Sequence, residues 1–370
     1  MLAVQEYLHK NSLDRLNEEY AIKVVRHDTL PLAILNYNQI DSPKTHPIVR
    51  ECRGLVLRTD NYEIVARSFF RFFNWGEVQD EMGDFDFSDF VVQSKEDGSL
   101  VLFYHFDGHW RVNTRGSFAQ DLMQFQSFTW EEAIVDALGI QCIDDLDTWG
   151  WDRGVTYVGE FCSPWNKIVR RYDPCVYLLA AFDLKDNREL TLNECDAACQ
   201  SGRILRPTVF QFHDMKGIEK FIQDQMSNDP TFEGVVMRDQ HGHRWKVKSP
   251  TYLGLHRLRG EGGNLFNPKH LLPFVLAGEE GELLTYFPEA TEAFYRTKSK
   301  VMEAYANLVE LWGDHHRIVD QKEFALSVVH SPFSGILFSV RKKYGEEQKA
   351  RDLREIWNQS EQHIVKVLFK

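Results

Sequence analysis

The sequence predicts an α+β domain followed by an all-helical domain, and three observations support this division. Over roughly the first 255 residues, short apolar runs rich in Val, Tyr and Phe are bounded by turn residues and alternate with helical stretches. Near Arg257 this strand signal fades. Beyond it, apolar residues recur at spacings of three, four and seven, as they do in packed helices. A chain of 370 residues is long enough for two such domains.

The strands of the first domain are predicted by five apolar runs: DFVVQS, SLVLFYHF, VTYVGEF, VYLLAAFDL and EGVVMRD. Helices are predicted at residues 129–138 and 192–200. The glycine-rich segment RGEGGN, residues 259–264, is typical of a linker. We therefore expect domains at 1–256 and 265–370.

The second domain is predicted from two apolar stripes. The first comprises Phe294, Val301, Tyr305, Leu308 and Trp312, and the second comprises Leu353, Trp357, Ile364 and Leu368. Side chains at these spacings share one face of a helix. They are the expected core of a helical bundle.

The composition points to a cytoplasmic protein. No apolar run reaches about 18 residues, so no membrane span is expected, and the first residues lack the pattern of a secretory signal. The six cysteines are scattered along the chain, which favours reduced thiols over disulfides or a zinc site. We expect localisation in the cytoplasm of a bacterial or phage-infected cell.

The net charge of −12 argues against a nucleic-acid partner, but one segment of the chain is basic. Between Gly234 and His270 there are seven Lys or Arg against two acidic residues. A local basic groove on an acidic body can bind phosphates. By itself, such a window is also compatible with a solvated surface.

The motif KEDG, Lys95 to Gly98, lies between two predicted strands. A lysine at the end of a strand, followed by acid and glycine, places an amine where a ligand's phosphate can approach the backbone. As a lone motif it is weak, since average composition gives it by chance in roughly one chain of this length in ten.

Other short motifs accompany KEDG in a fixed order. ECRG and RSFFRFFNWGE precede it, and TRGS, YVGEF, VYLLAAFD, FEGVV and WKVK follow it. This series resembles the nucleotidyl motifs of ligases and mRNA-capping enzymes. Within that superfamily, ECRG, the FFN element and SPTYLGLH resemble the phage-type RNA ligase 1 family, over about residues 35 to 260.

The resemblance implies a fold and a reaction. The fold is the nucleotidyltransferase type, with ATP-grasp-like antiparallel sheets and flanking helices, plus an all-helical C-terminal domain for RNA selection. The reaction is ATP-dependent joining of RNA 5′-phosphate and 3′-hydroxyl ends, through AMP carried covalently on Lys95 and then on the RNA 5′ end. The RNA substrate could be a broken tRNA. We expect a monomer that acts beside a polynucleotide kinase or phosphatase.

Lys95 must be neutral to act as a nucleophile, although a free lysine is protonated at pH 7. Crowding by Lys246, Lys248 and a divalent metal favours the neutral form. Both lysines are predicted to lie on one face of a strand, because side chains two residues apart do so. There they also neutralise charge on the α-phosphate.

The resemblance assigns the remaining site residues. Glu160 is expected to hold the ribose, and Glu233 to lie near the nucleotide or metal. Arg53 and Arg71 are expected to grip the triphosphate, with Arg115 in the TRGS element. Gly98 completes the motif of Lys95. Three rings, Tyr37, Phe73 and Tyr252, match positions around the nucleotide, although core packing explains any one of them equally well.

Phosphoryl transfer calls for Mg²⁺ (or Mn²⁺), which is held largely by water and substrate phosphates. The family has an acidic pair after its catalytic domain. The segment GEEGEL offers Glu280 or Glu282 as an imperfect substitute.

Two other functions remain open on the sequence. A DNA ligase or a capping-type nucleotidyltransferase shares the lysine motif, but usually carries a β-barrel after the second lysine motif, where this chain has helical periodicity. A non-catalytic RNA-binding protein with an inactive nucleotide site would be expected to lose Lys95, Glu160 or the KVK lysines, all of which are intact.

Overall fold

The computed structural model describes residues 1–78, 82–123, 126–166, 170, 172–199, 203–229, 231–249, 267–286, 290–344 and 350–369. The chain divides into two compact units, Met1–His256 and Arg257–Lys370. The predicted linker, 259–264, lies outside the described residues. Among the helices of the described ranges, none combines the length and apolar character needed to cross a bilayer.

Unit 1 is built from strands and short helices. Its strands are β1 Ile22–Arg26, β2 Leu32–Tyr37, β3 Arg53–Arg58, β4 Ile64–Ala66, β5 Phe73–Asn74, β6 Phe90–Ser94, β7 Ser99–Phe106, β8 His109–Thr114, β9 Val155–Cys162, β10 Cys175–Asp183, β11 Arg188–Glu189, β12 Val209–Phe210, β13 Gly234–Asp239 and β14 Arg244–Lys248. Its helices are Ala3–Leu8, Leu13–Tyr20, Pro47–Glu51, Trp130–Leu138, Leu192–Ala198 and Met215–Asn228, with a 3₁₀ helix at Ile143–Trp149.

These strands form three sheets. Sheet 1 has the order β1-β2-β3-β4, sheet 2 the order β11-β10-β9-β7-β8, and sheet 3 the order β12-β6-β13-β14-β5. Most neighbouring strands are antiparallel, as the fold class predicts, but β14 pairs with the two-residue strand β5 in parallel. The prediction of an α+β fold with antiparallel sheets and flanking helices is confirmed.

Sheet 2 is covered on both faces, and β7 shows how. Side chains alternate along a strand, so Val101 and Phe103 face a core shared with the helix Trp130–Leu138. Leu102 and Tyr104 face a core shared with sheet 1. This explains why the segment LVLFY, residues 100–104, has no alternation with polar residues.

Sheet 3 buries one face against the helix Met215–Asn228. Val235, Met237 and Trp245 pack there with Ile218 and Ile222 of that helix. The other face is left to the polar residues of β14. This arrangement sets the side on which the basic residues of WKVK lie.

Helices are the regular secondary structure in the described residues of unit 2. They span Pro268–Ala277, Glu280–Tyr286, Thr291–His315, Gln321–Val328, Ser334–Tyr344, Ala350–Gln359 and Glu361–Leu368. The first predicted stripe lies on Thr291–His315 and is buried except for the half-buried Tyr305. The second stripe is divided between Ala350–Gln359 and Glu361–Leu368, and both parts join the same core.

The two predicted helices of unit 1 are present, with small differences at their ends. The first begins at Trp130, because the Thr129 side chain caps it by accepting from the Glu132 amide. The second ends at Ala198, two residues short of the predicted end, and residue 200 lies outside the described ranges.

Candidate active site

The motif KEDG is the connection between sheet 3 and sheet 2. β6 ends at Ser94 and β7 begins at Ser99, so residues 95–98 cross from one sheet to the other. The Lys95 amide donates to the Gly234 carbonyl over 2.9 Å, which fixes the start of the crossing against β13. The Lys95 side chain is 21% exposed. The amine is thus enclosed yet still reachable by a ligand.

One carboxylate oxygen joins Lys95 to Lys248. Glu233 Oε1 lies 2.7 Å from Lys95 Nζ and 3.2 Å from Lys248 Nζ. Glu233 immediately precedes β13, which pairs with both β6 and β14. Its side chain is only 5% exposed. Two ammonium groups therefore contact one carboxylate oxygen that is largely shielded from water. The negative charge of this carboxylate offsets the repulsion between them.

The lysines of β14 lie on the face opposite the core, as the alternation predicts. Trp245 and Val247 are buried in the core of sheet 3. Lys246 Nζ lies 4.9 Å from the centroid of the Phe72 ring, a cation–π contact, and Lys248 contacts Glu233. The strand thus places Lys248 on the carboxylate that Lys95 contacts, and Lys246 over the Phe72 ring.

Glu160 brings a second carboxylate to this cluster from sheet 2. It lies in β9 opposite Leu100 of β7, and its carboxylate accepts a hydrogen bond from the Gly98 amide. Burial raises the pKa of Glu160 to about 7; Lys95 and Arg53 oppose this rise, and Glu233 adds to it. At neutral pH, Glu160 therefore exists as a mixture of the protonated and ionised forms.

Two glycines of the motifs are required by close packing. A Cβ at Gly98 would come within 2.8 Å of Cys162 Sγ and closer still to the Phe161 carbonyl oxygen. Gly234 has φ +138° and faces the backbone of β14 just as closely. Only glycine fits at these two points, where the KEDG motif packs on β9 and where β13 packs on β14.

A second part of the site is a cluster of cations around Tyr37. Arg71 Cζ lies 4.2 Å and Arg115 Cζ 5.5 Å from the centroid of the Tyr37 ring. Burial alone would raise the pKa of Tyr37, but surrounding cations outweigh burial and lower it to about 8: Arg115, Arg53, Lys246 and Arg71. The lowered pKa reflects a strongly positive local potential.

Some guanidinium nitrogens of this cluster have no acceptor among the described residues. They are Nε and Nη1 of Arg53 and Nη1 of Arg71, all buried. Burial also lowers the pKa of Arg53 to about 10. A buried donor without an acceptor is costly. These atoms therefore suit a ligand that brings anionic oxygens, such as a polyphosphate.

Two rings for which no role is predicted from the sequence, Phe69 and Phe72, contact these cations. The Arg53 guanidinium lies 4.8 Å from the centroid of Phe69 and 4.9 Å from that of Phe72. The Arg244 guanidinium, from β14, lies 5.0 Å from the centroid of the same Phe69 ring. The sequence indicates these rings only through the four Phe of RSFFRFFNWGE. Of the four, a role is predicted for Phe73 alone.

The three rings predicted to surround the nucleotide do not share one environment. Phe73 is 3% exposed and packs in the core of sheet 3, whereas one side of Tyr37 is occupied by cations. Tyr252 lies outside the described residues. Stacking on a base stays a prediction for all three.

The metal prediction rests on Glu280 and Glu282 of the helix Glu280–Tyr286. The Glu280 carboxylate accepts from the Tyr295 hydroxyl over 2.6 Å and pairs with Lys298 over 2.5 Å. The side chain of Glu282 lies outside the described part of the chain. Within that part, no group of three His, Cys, Asp or Glu is arranged to hold a metal ion.

Solved RNA ligases resemble this chain at low identity. An archaeal ATP-dependent RNA ligase matches over 83% of both chains, with 14% identity and a TM-score of 0.49. A mutant RNA ligase of Naegleria gruberi with ATP and Mn matches over 45% of this chain and 51% of its own, with 17% identity and a TM-score of 0.36.

Sequence comparisons cover more of the chain. A protein described as a putative bifunctional polynucleotide kinase/RNA ligase in Autographa californica nuclear polyhedrosis virus is 28% identical over an alignment of 310 residues, which covers 78% of this chain. The match spans 42% of that relative, so the chain corresponds to about two fifths of its length. The family model for RNA ligase, of the phage RNA ligase 1 type, matches residues 51–252. More than half of the chain thus fits this model, and the chain belongs to the phage-type RNA ligase 1 family.

Proposed function

We propose that this protein joins RNA 5′-phosphate and 3′-hydroxyl ends with ATP, through AMP bound covalently to Lys95. The observation that carries the proposal is the position of the Lys95 amine, 2.7 Å from the Glu233 carboxylate and beside Lys248. Membership of the RNA ligase family supports the same reaction.

The first step forms a bond between Lys95 Nζ and the α-phosphorus of ATP and breaks the bond to pyrophosphate. The Lys95 ammonium must lose a proton before it attacks. Glu233 Oε1 is within hydrogen-bond distance and can accept that proton. Protonation removes the negative charge of Glu233, which Lys248 contacts. Lys248 can then stabilise the charge of the α-phosphate instead.

The next two steps transfer the AMP and release it. An oxygen of the RNA 5′-phosphate attacks the AMP phosphorus, and the bond to Lys95 breaks. The 3′-hydroxyl of the other RNA end then attacks the activated 5′-phosphate, and AMP leaves. Lys95 forms no bond in this last step, which allows adenylation and sealing to be measured separately.

The buried arginines around Tyr37 provide the site for the β- and γ-phosphates. The nitrogens of Arg53 and Arg71 without acceptors in the described residues suit anionic oxygens. Fixed positive charge there stabilises the departing pyrophosphate. Arg115 adds a third cation.

A divalent ion, Mg²⁺ or Mn²⁺, would neutralise phosphate charge when bound. Such an ion would be held mainly by substrate phosphates and water. The Naegleria gruberi enzyme, solved with ATP and Mn, motivates the choice of cofactors.

The test is labelling with α-labelled ATP and Mg²⁺. Wild-type protein should acquire one AMP, and Lys95→Ala should acquire none. Lys220→Ala, at an exposed helical lysine, is the control and should label fully. Absence of label on the wild type would contradict the proposal. Comparing ATP with GTP, and RNA ends with nicked DNA, separates this function from a DNA ligase or a capping-type enzyme.

We also propose the setting in which the reaction occurs. The helical domain, residues 265–370, would select the RNA, which could be a broken tRNA. The protein would act as a cytoplasmic monomer beside an enzyme that heals RNA ends. The baculovirus relative, which is assigned both kinase and ligase activities, motivates this last part.

A further inference from the structure

We propose that Tyr172 is a positioning residue for Lys95, and this inference rests on the proposed function. Tyr172 precedes β10 of sheet 2, whereas Lys95 follows β6 of sheet 3. Its hydroxyl group nevertheless reaches both acidic residues of the KEDG motif. Through them it fixes the backbone that carries the amine.

The hydroxyl group of Tyr172 makes two hydrogen bonds to the motif. It donates to Glu96 Oε2 over 2.9 Å and accepts from the Asp97 amide over 3.2 Å. Glu96 is 8% exposed and Asp97 is 2% exposed. Both bonds are thus largely shielded from water, where a lost partner is not replaced by solvent.

The contact is reciprocal. The Asp97 carboxylate accepts from the Arg170 amide over 2.8 Å, two residues before Tyr172. On the other side of the motif, Ser94 Oγ donates to Glu96 Oε1 over 2.6 Å and itself accepts from the Thr208 amide. The residues on both sides of Lys95 are therefore held, while Lys95 itself remains 21% exposed.

The hydroxyl stays protonated over the working range of pH. Burial and the charge of Glu96 raise the pKa of Tyr172 well above its usual range. Tyr172 can therefore donate to Glu96 whenever that carboxylate is ionised.

Loss of this hydroxyl should affect adenylation more than the other steps. The phosphate-binding arginines lie on other segments, so ATP binding should be preserved. Sealing of an RNA that already carries AMP at its 5′ end forms no bond to Lys95. A displaced motif therefore slows the lysine attack selectively, whereas a general loss of structure would slow every step.

The experiment compares Tyr172→Phe with Tyr157→Phe. The Tyr157 hydroxyl also accepts from a backbone amide, that of Asp152 over 2.9 Å, but at the start of β9. For Tyr172→Phe, the rate of AMP labelling at saturating ATP should fall about tenfold, the factor that 1.4 kcal/mol represents. The KM for ATP and the sealing of pre-adenylated RNA should change less than about twofold. Tyr157→Phe should label at the wild-type rate.

Amide hydrogen exchange provides a readout without catalysis. Exchange at Asp97 should be faster in Tyr172→Phe than in wild type, because its amide loses its acceptor, and unchanged in Tyr157→Phe. Labelling at the wild-type rate, equal losses in labelling and sealing, or unchanged exchange would each overturn the role of Tyr172. A wild type that takes no AMP would instead overturn the proposed function itself.

Discussion

The Lys95 ammonium lies 2.7 Å from the Glu233 carboxylate, so the proposed nucleophile is paired with an acid as well as crowded by a cation. The sequence predicts only the crowding by cations. The carboxylate supplies an acceptor for the proton that the amine must lose. The pair is therefore a proton donor and a proton acceptor in contact. When ATP binds, Glu233 would be in position to accept the proton of Lys95.

Removing the charge of Glu233 should slow adenylation. In Glu233→Gln, the amide keeps the shape but cannot accept the Lys95 proton, so labelling with AMP should slow about 100-fold. The rate of AMP labelling at saturating ATP measures this effect.

Glu189→Gln is the matched control for that variant. Glu189 is a largely buried carboxylate shared by Arg238 and Arg244, so its loss should lower stability while labelling continues. Equal labelling by Glu233→Gln and wild type would rule out Glu233 as the proton acceptor.

A methyl group at Gly98 should disrupt the motif. The Cβ would overlap the Phe161 carbonyl, and Phe161 is fully buried, so the loop carrying Lys95 must move. We expect Gly98→Ala to lower the free energy of unfolding by about 2 kcal/mol or more and to abolish most labelling. Gly83→Ala, where nothing lies within 4 Å, is the control. Denaturant unfolding that gives Gly98→Ala the stability of wild type would contradict the packing argument.

Tyr37 should titrate at an unusually low pH. Its pKa of about 8 predicts a tyrosinate absorbance that appears near pH 8 and is missing in Tyr37→Phe. Pyrophosphate should shift this transition to higher pH, because its charge offsets the surrounding arginines. Tyr104→Phe should retain the transition, since burial raises the pKa of Tyr104. A transition that pyrophosphate leaves unchanged would place the phosphates elsewhere.

Glu160 should make the stability of the protein depend on pH. Its folded pKa of about 7 lies above the value of about 4.3 expected in the unfolded chain. Between these values the folded state binds more protons, so stability falls as pH rises through this window.

Urea unfolding of wild type and Glu160→Gln over this range measures that dependence. The free energy of unfolding of wild type, relative to that of Glu160→Gln, should change by no more than about 3 kcal/mol between the two pKa values. Glu194→Gln should not alter the pH dependence there, because hydrogen bonds lower the pKa of Glu194 to about 2. Parallel curves for wild type and Glu160→Gln would show that Glu160 is not perturbed.

Truncation separates the two units. We expect a chain of residues 1–256 to acquire AMP as wild type does, because Lys95, Glu160 and the KVK lysines all lie in unit 1. Its rates on a broken tRNA and on a linear RNA should change relative to each other. Identical preference before and after truncation would refute a role of the helical domain in RNA selection.

Much of unit 1 could be predicted because its signals are local. The runs SLVLFYHF and VTYVGEF coincide closely with β7 and β9, since apolar β-branched and aromatic side chains bounded by turn residues favour strands. The alternation in WKVK placed both lysines on one face for the same reason. Thr129 was included in a predicted helix because a capping residue belongs to the pattern but not to the helix itself.

The sequence by itself determined the strands and the types of residue in the candidate site, because each depends on neighbours within a few positions. Tertiary structure alone decided which of these residues meet. Glu233 reaches Lys95 across 138 positions, Tyr172 reaches Glu96 across 76, and Phe73 lies in a core instead of an open pocket. Such pairings depend on which distant strands become neighbours and on how the sheets pack, and no local pattern of side chains encodes either.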